Sequence, residues 1–327
     1  MKGSVLKKFL CTCLVTAAAF AATTISASAC TTIYVGGDLV EEGTPFVART
    51  EDYGSDYNKL WFISESGKWK QGDHYVGCPA YGPFEWDFTH DSYRFTYFTN
   101  DIYYDGTCPE CGKKADHYSY TEFGTNEKGV SVSATETLYG NEKVTEADPY
   151  RDAEWAEANK SERIGIEETD IPTIILAEAS SAREGVKLLL DIYENYGCVY
   201  ASGVFICDKD EVWYIENCSG TQYVAIKLND NMIFLEPNMA VIGRVDLDDE
   251  NVIASKDLIA VAKKAGTFVG DEAKNIIDFR ASYARISEKM DQRMIDGLNY
   301  LNATYKYDSD ALVADNTKFT ISNLDAS

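Results

Sequence analysis

Histidine is nearly absent from this chain. Only His74, His90 and His117 occur in 327 residues, all within one aromatic-rich stretch. None lies in a regular, well-patterned element, so a papain-like Cys–His pair has little support, although such pairs meet in space rather than in sequence. A glycine-rich phosphate loop, a G-x-S-x-G nucleophile turn and an H-E-x-x-H zinc helix are also missing. Those absences exclude the usual signatures of phosphate-loop enzymes, α/β-hydrolases and zincins. No long hydrophobic run compensates. The apolar stretch Phe9 to Ala22 is shorter than the ~20 residues a membrane-crossing helix needs. Basic residues are outnumbered, 30 Lys and Arg against 53 Asp and Glu, for a formal charge of −23. An acidic surface repels phosphate backbones and anionic lipid, which argues against nucleic-acid and membrane partners and suits solubility outside a cell.

What is present begins at the N-terminus. Lys2, Lys7 and Lys8 precede the apolar stretch, and Ala27-Ser28-Ala29 closes it with the small-residue pattern of an export-signal cleavage site. Residues 1–29 are therefore expected to be a cleaved signal peptide, with residues 30–327 forming the mature, secreted domain. Cleavage after Ala29 would make Cys30 the first residue, so that a thiol and a free α-amine share one residue. An α-amine ionises near pH 8 and can take a proton at neutral pH. A thiolate is a strong nucleophile. Together they form the N-terminal-nucleophile arrangement, which needs no imidazole. Two plainer readings of Cys30 stay open at this point: a lipid-attachment site on a binding protein, and an ordinary strand residue.

Nine cysteines include Cys11 and Cys13 in the leader, leaving an odd seven. An odd count leaves one thiol without an internal partner. Cys108 and Cys111 form a lone C-x-x-C, with His74, Cys78 and His117 nearby in sequence. Disulfide, free thiols and a zinc site are all readings of it.

The pattern along the chain alternates strands and helices. Strands are expected at Thr31 to Gly36, Thr44 to Thr50, Gly129 to Thr135, Val204 to Cys207, Glu211 to Glu216, Tyr223 to Leu228 and Met232 to Glu236. Helices are expected at Ser181 to Tyr196, Ser255 to Ala265 and Glu272 to Lys289; Ser181 with Glu184 makes a capping box, and Gly197 ends the first. Gly67 to Phe123 and Asn141 to Arg163 read as local insertions. The order suggests an α+β layered domain with antiparallel sheets.

A nucleophile at Cys30 needs a counter-charge and fixed donors for an oxyanion. Arg49-Thr50-Glu51-Asp52 ends the second strand, and a hairpin returns it beside Cys30. Arg49 would then supply charge and Asp52 would orient the amine; on spacing alone the stronger reading is a turn with a surface ion pair.

Cys30-Thr31-Thr32-Ile33-Tyr34-Val35-Gly36, followed by Arg49-Thr50-Glu51-Asp52-Tyr53, resembles the dipeptidase A and secernin family of N-terminal-nucleophile cysteine hydrolases. Asn126-Glu127-Lys128-Gly129-Val130 with Ser133 to Thr137, Ala182 through Gly197, and Glu236-Pro237-Asn238 with Val245 to Asp249 resemble later family blocks. The resemblance implies a four-layer αββα sandwich and hydrolysis of dipeptides without metal or organic cofactor. It implies roles for Cys30 as nucleophile and base, for Arg49 and Asp52 beside it, and for Asn238 as an oxyanion donor. A further catalytic arginine is expected among Arg244, Arg280 and Arg285. Where related acylases carry another oxyanion Asn, this chain has Glu136, which favours the dipeptidase branch over N-acyl amino acid or bile-salt amidases. Members of the family continue well past the point matching Ser327. Homo-oligomerisation is left open.

Overall fold

The computed structural model describes residues 30–51, 58–77, 84–100, 121–135, 138–285 and 291–301. The chain opens with a hairpin, β1 (Thr31–Val35) and β2 (Phe46–Thr50). Next come β3 (Lys59–Ser64), the small hairpin β4 (His74–Val76) and β5 (Glu85–Asp87), then β6 (Phe95–Asn100), β7 (Phe123–Asn126) and β8 (Ser131–Thr135). A helical stretch follows: α1 (Glu142–Ala147), α2 (Ala153–Asn159), α3 (Ile171–Glu178) and α4 (Ala182–Asn195). Strands resume as β9 (Ser202–Cys207), β10 (Val212–Asn217), β11 (Tyr223–Lys227), β12 (Ile233–Glu236), β13 (Arg244–Asp246) and β14 (Val252–Ala254). Helix α5 (Leu258–Ala265), short strands β15 (Gly270–Asp271) and β16 (Ile276–Asp278), and helices α6 (Phe279–Tyr283) and α7 (Gln292–Leu301) complete the described chain.

Two antiparallel sheets dominate. One has eight strands in the order β14-β11-β10-β9-β8-β7-β6-β3, the other three in the order β12-β1-β2. Side chains alternate across a strand, so each buried strand serves two cores. Trp213 and Ile215 of β10 join Val204 and Ile206 of β9 against Ile174, Ile175, Val186 and Leu189 of α3 and α4. Tyr214 of the same strand turns the other way, onto Phe205 and Phe234 between the sheets. On the far side of the small sheet, Leu235 meets α7 at Gly297. The layers run helices, large sheet, small sheet, helix, which is the expected four-layer αββα sandwich.

Local chemistry explains where the expected elements formed. Helix α4 is capped by Ser181, whose side chain accepts from the Glu184 amide. The Asn126 to Gly129 block is the turn joining β7 and β8. Asn126 Nδ2 donates to Leu176 and Ala179 carbonyls, its Oδ1 accepts from the Lys128 and Val130 amides, and Gly129 takes φ +84. That Asn therefore ties the turn to α3.

One expectation fails in part. The helix over 272–289 is not continuous: Asn275 adopts φ +52, Ile276 to Asp278 pair with β13 as strand, and the α-helix among the described residues of this range is Phe279–Tyr283. Exposed polar residues around an Ile-Ile pair suited either period, and the neighbouring strand decided it. The stretch from 67 to 123, expected as a long insertion with some strands, supplies β6, which pairs with both β3 and β7 inside the large sheet. No helix among the described residues is long and apolar enough to cross a membrane.

Candidate active site

Cys30 stands immediately before β1. Cys30, Thr32 and Tyr34 are the buried residues of the β1 alternation and face the large sheet; Tyr34 lies in the core between the sheets. The hairpin register sets Arg49 opposite Thr32 on that same face. Arg49 Nη2 donates to Cys30 Sγ at 3.5 Å. Its Nη1 donates to the Ala134 carbonyl at 2.7 Å, Ser133 Oγ at 3.1 Å and the Glu122 carbonyl at 3.3 Å. The large sheet thus grips one arm of the guanidinium and points the other at the sulfur. Burial works to lower the Arg49 pKa, but Cys30, Glu168 and Glu51 outweigh it and hold the guanidinium above its ordinary value. It is a fixed positive charge beside the thiol, and such a charge favours the thiolate.

A second arginine approaches from the other side. Arg293, in the first turn of α7, donates through Nη1 to the Cys30 carbonyl at 2.7 Å, Thr31 Oγ1 at 3.0 Å and Asn238 Oδ1 at 2.9 Å. Its Nη2 donates to the Pro237 carbonyl at 3.1 Å, and Asp291 grips the guanidinium through both carboxylate oxygens. None of the three arginines expected from the sequence takes this place. Arg244 is exposed on β13, Arg280 is buried with Asp278 and Glu216 among its charged neighbours, and Arg285 lies over the Tyr139 ring. Arg293 was invisible because it lies 263 residues from Cys30, in no matching block. The available signal was Asp291-Gln292-Arg293, an acidic cap opening an amphipathic helix.

Asn238 follows the end of β12 and adopts φ +58, a left-handed conformation that Asn tolerates better than most residues. With Oδ1 committed to Arg293, its Nδ2 is buried and has no hydrogen-bond partner among the described residues. A buried donor without a partner among the described residues, joined through Arg293 to the Cys30 main chain, is able to meet an oxyanion.

Acidic groups crowd the Arg49 side. Lys59 Nζ donates to both carboxylate oxygens of Glu122 at 2.6 Å and also pairs with Glu51. Burial, then the neighbouring Glu51, pushes the Glu122 carboxyl up to about 8, while Glu51 is drawn below its ordinary range despite partial burial. A cavity of about 470 Å³ opens beside Arg49, lined by Val47, Phe123, Ser133, Phe205 and Cys207. Another of about 270 Å³ lies beside Asn238 and Asp291.

Other sequence-derived candidates separate from this centre. His74 pairs with Asp87 on the small hairpin, and His90 bridges the Asp91 and Glu178 carbonyls. Cys198, Cys207 and Cys218 are free thiols. Asp52, Glu136, Cys78, the Cys108–Cys111 pair, His117 and the leader lie outside the described residues.

An N-terminal-nucleophile layer order with a cysteine, an arginine and an unpaired Asn donor at the mouth of the first hairpin defines a class of cysteine hydrolases. The profile of peptidase family C69 matches residues 29–306, and the chain belongs to that family. "Probable dipeptidase B" of Streptococcus pyogenes serotype M3 is 34% identical over 247 residues, covering 75% of this chain and 44% of its own. "Probable dipeptidase" of Salmonella dublin is 32% identical over 262 residues, 79% and 53% respectively. The chain thus spans about half the length of these curated relatives. Among solved structures, penicillin V acylase from Agrobacterium tumefaciens is similar over 64% of this chain and 49% of its own, at 14% identity and a TM-score of 0.34. Conjugated bile acid hydrolase from Clostridium perfringens is similar over 74% and 59%, at 14% identity and a TM-score of 0.31.

Proposed function

We propose that this protein is an exported cysteine dipeptidase. Removal of residues 1–29 exposes the α-amine of Cys30, and the Cys30 thiolate attacks the carbonyl carbon of a dipeptide. The S–C bond forms as the carbonyl becomes an oxyanion, and Asn238 Nδ2 donates to it. Collapse breaks the C–N bond, and the α-amine, protonated by the thiol, passes that proton to the leaving amine. Water then attacks the thioester and regenerates the thiol. Arg49 holds the thiolate, and Arg293 ties the main chain of the nucleophile to the side chain that meets the oxyanion. Asp52 keeps its proposed role of orienting the amine. Dipeptides are the substrates proposed.

One observation carries this reading: Arg293 Nη1 bridges the Cys30 carbonyl and Asn238 Oδ1, while Asn238 Nδ2 is buried with no partner among the described residues. A merely structural Asn would spend both ends of its amide. N-terminal mass spectrometry of the exported protein, paired with a substrate panel, tests it. A free Cys30 and cleavage of dipeptides are expected. A lipid thioether on Cys30 defeats the enzyme reading; a free Cys30 with cleavage only of N-acyl amino acids or bile-salt conjugates defeats the dipeptidase reading and leaves an amidase.

A further inference from the structure

The loop that carries Asn238 is held by two buried acids that the reaction above does not use. Glu236 ends β12 and is 1% exposed; Glu216 lies in β10 and is wholly buried. The backbone N–H groups of Asn238 and Met239 favour the charged form of the Glu236 carboxyl, two residues before Asn238 in the chain. The amides of Val241 and Ile242 donate to Glu216 at 2.6 and 3.2 Å, and Tyr214 Oη donates to the same carboxylate at 3.0 Å. Two amides of the segment 238–242 are therefore anchored by the Glu216 side chain rather than by a strand partner, and those of Asn238 and Met239 act on Glu236. The register also matters: Glu236, Thr32 and Arg49 stand in one cross-strand row of the small sheet. The acid that anchors the loop is thus in the same row as the guanidinium that holds Cys30.

We propose that Glu236, backed by Glu216, positions Asn238 for the oxyanion: the two carboxylates hold the 238–242 backbone in the conformation that presents the Asn238 amide to the acyl group on Cys30. This rests on the reading of Cys30 as an acyl-accepting nucleophile. The cost of burying two acids supports it, because such burial is strongly unfavourable without a compensating role. The charged and titratable groups around the pair are Arg49 from β2, Arg280 from α6 and Tyr214 from β10. Glu236 Oε1 has no hydrogen-bond partner among the described residues. Burial, then Glu216, pushes the Glu236 carboxyl up to about 8. A neutral carboxyl, or a Gln with its NH2 at the unpartnered position, fits the same contacts.

The test compares two reactions of Cys30 in the exported, processed protein. With p-nitrophenyl acetate, sulfur bonds to the acetyl carbon through an oxyanion and the C–O bond to p-nitrophenolate breaks. With iodoacetamide, sulfur displaces iodide and no oxyanion forms. Glu236→Leu is expected to slow acylation roughly 10²-fold, the scale of a ~1 Å misplacement, with alkylation within about twofold of wild type. Glu236→Gln, which keeps the acceptor, is expected to restore most of the acylation rate. Should the Leu variant not fold, Glu236→Asp, which withdraws the carboxylate by one methylene, takes its place with acylation at least about tenfold slower. Wild-type acylation in the Leu or Asp variant, or equal loss of acylation and alkylation, overturns the proposal. Wild-type protein that is acylated but cleaves no dipeptide refutes the dipeptidase reading and leaves this one standing.

Discussion

The two faces of the large sheet differ although the same strands build both. Toward α3 and α4 the strands present Val132, Ala134, Val204, Ile206, Trp213, Ile215 and Ala225, an almost purely apolar surface. Toward the small sheet the alternate positions present Ser133, Phe205, Tyr214 and Glu216, and the facing sheet adds Thr32, Arg49 and Glu236. Apolar burial stabilises at about 25 cal/mol per Å², whereas a buried polar group stabilises only when its partners are in place. The first face is built to hold, and the second gathers the polar groups to which the proposed chemistry is assigned.

The sharpest break in that comparison is Cys30→Ala. It removes one atom from the inter-sheet side and should reduce turnover by on the order of 10⁴-fold or more while the melting temperature stays near wild type. Dipeptide assays with thermal denaturation of the same samples check it. Leu189→Ala breaks the other face. Leu189 is fully buried between α4 and the sheet, so about 3 kcal/mol of stability should be lost. Turnover per folded molecule should not change, and chemical denaturation followed by active-site titration separates the two quantities. A Leu189→Ala protein that keeps its stability but loses turnover would collapse the distinction between the faces.

Arg49→Ala, Arg293→Ala and Asn238→Ala come next. Each is expected to cost roughly 10²-fold in kcat, the scale for a positioned charge or oxyanion donor. KM should move less, since the roles proposed for these groups act on the transition state rather than on ground-state binding. A large rise in KM at unchanged kcat would make them binding groups instead.

Legibility from sequence followed the same divide. The helix-facing elements were readable because their signals are local: the Ser181 cap, the α4 apolar stripe and alternating strands. Half the site was readable too, because Cys30 and Arg49 lie 19 residues apart on one hairpin whose register is set by alternation. Arg293 and the anchoring of the 238–242 loop were not. They depend on which distant strand end and helix start meet between the layers, and no short-range pattern encodes that. Asn126 shows the converse: its block stood out in sequence, and its side chain serves a turn.

The smallest expected effect concerns pH and divides the faces most finely. Glu236 is raised to about 8 and Glu216 to about 7, each by burial first, from an ordinary 4.5. Asp170, buried behind the helix face and bonded by Tyr75 at 2.6 Å, is raised to about 7 from 3.8, also by burial. A raised folded pKa means that the native state keeps a proton the unfolded chain has released. Between the two pKa values the native state binds more protons, so stability falls as pH rises. For Glu236 the window is about 4.5 to 8, and for Asp170 about 3.8 to 7. Glu236→Gln and Asp170→Asn remove the titrating group with little change of shape. Each should flatten part of the decline in melting temperature, by a few degrees at the alkaline end of its window. Melting curves at unit pH intervals measure this. The rate then separates the faces: Asp170→Asn should leave the pH profile of Cys30 acylation unchanged. Glu236→Gln, whose side chain holds the Asn238 backbone and shares a row with Arg49, should alter it near pH 8. Identical acylation profiles in both variants would mean that the buried acids serve stability alone on both sides of the sheet.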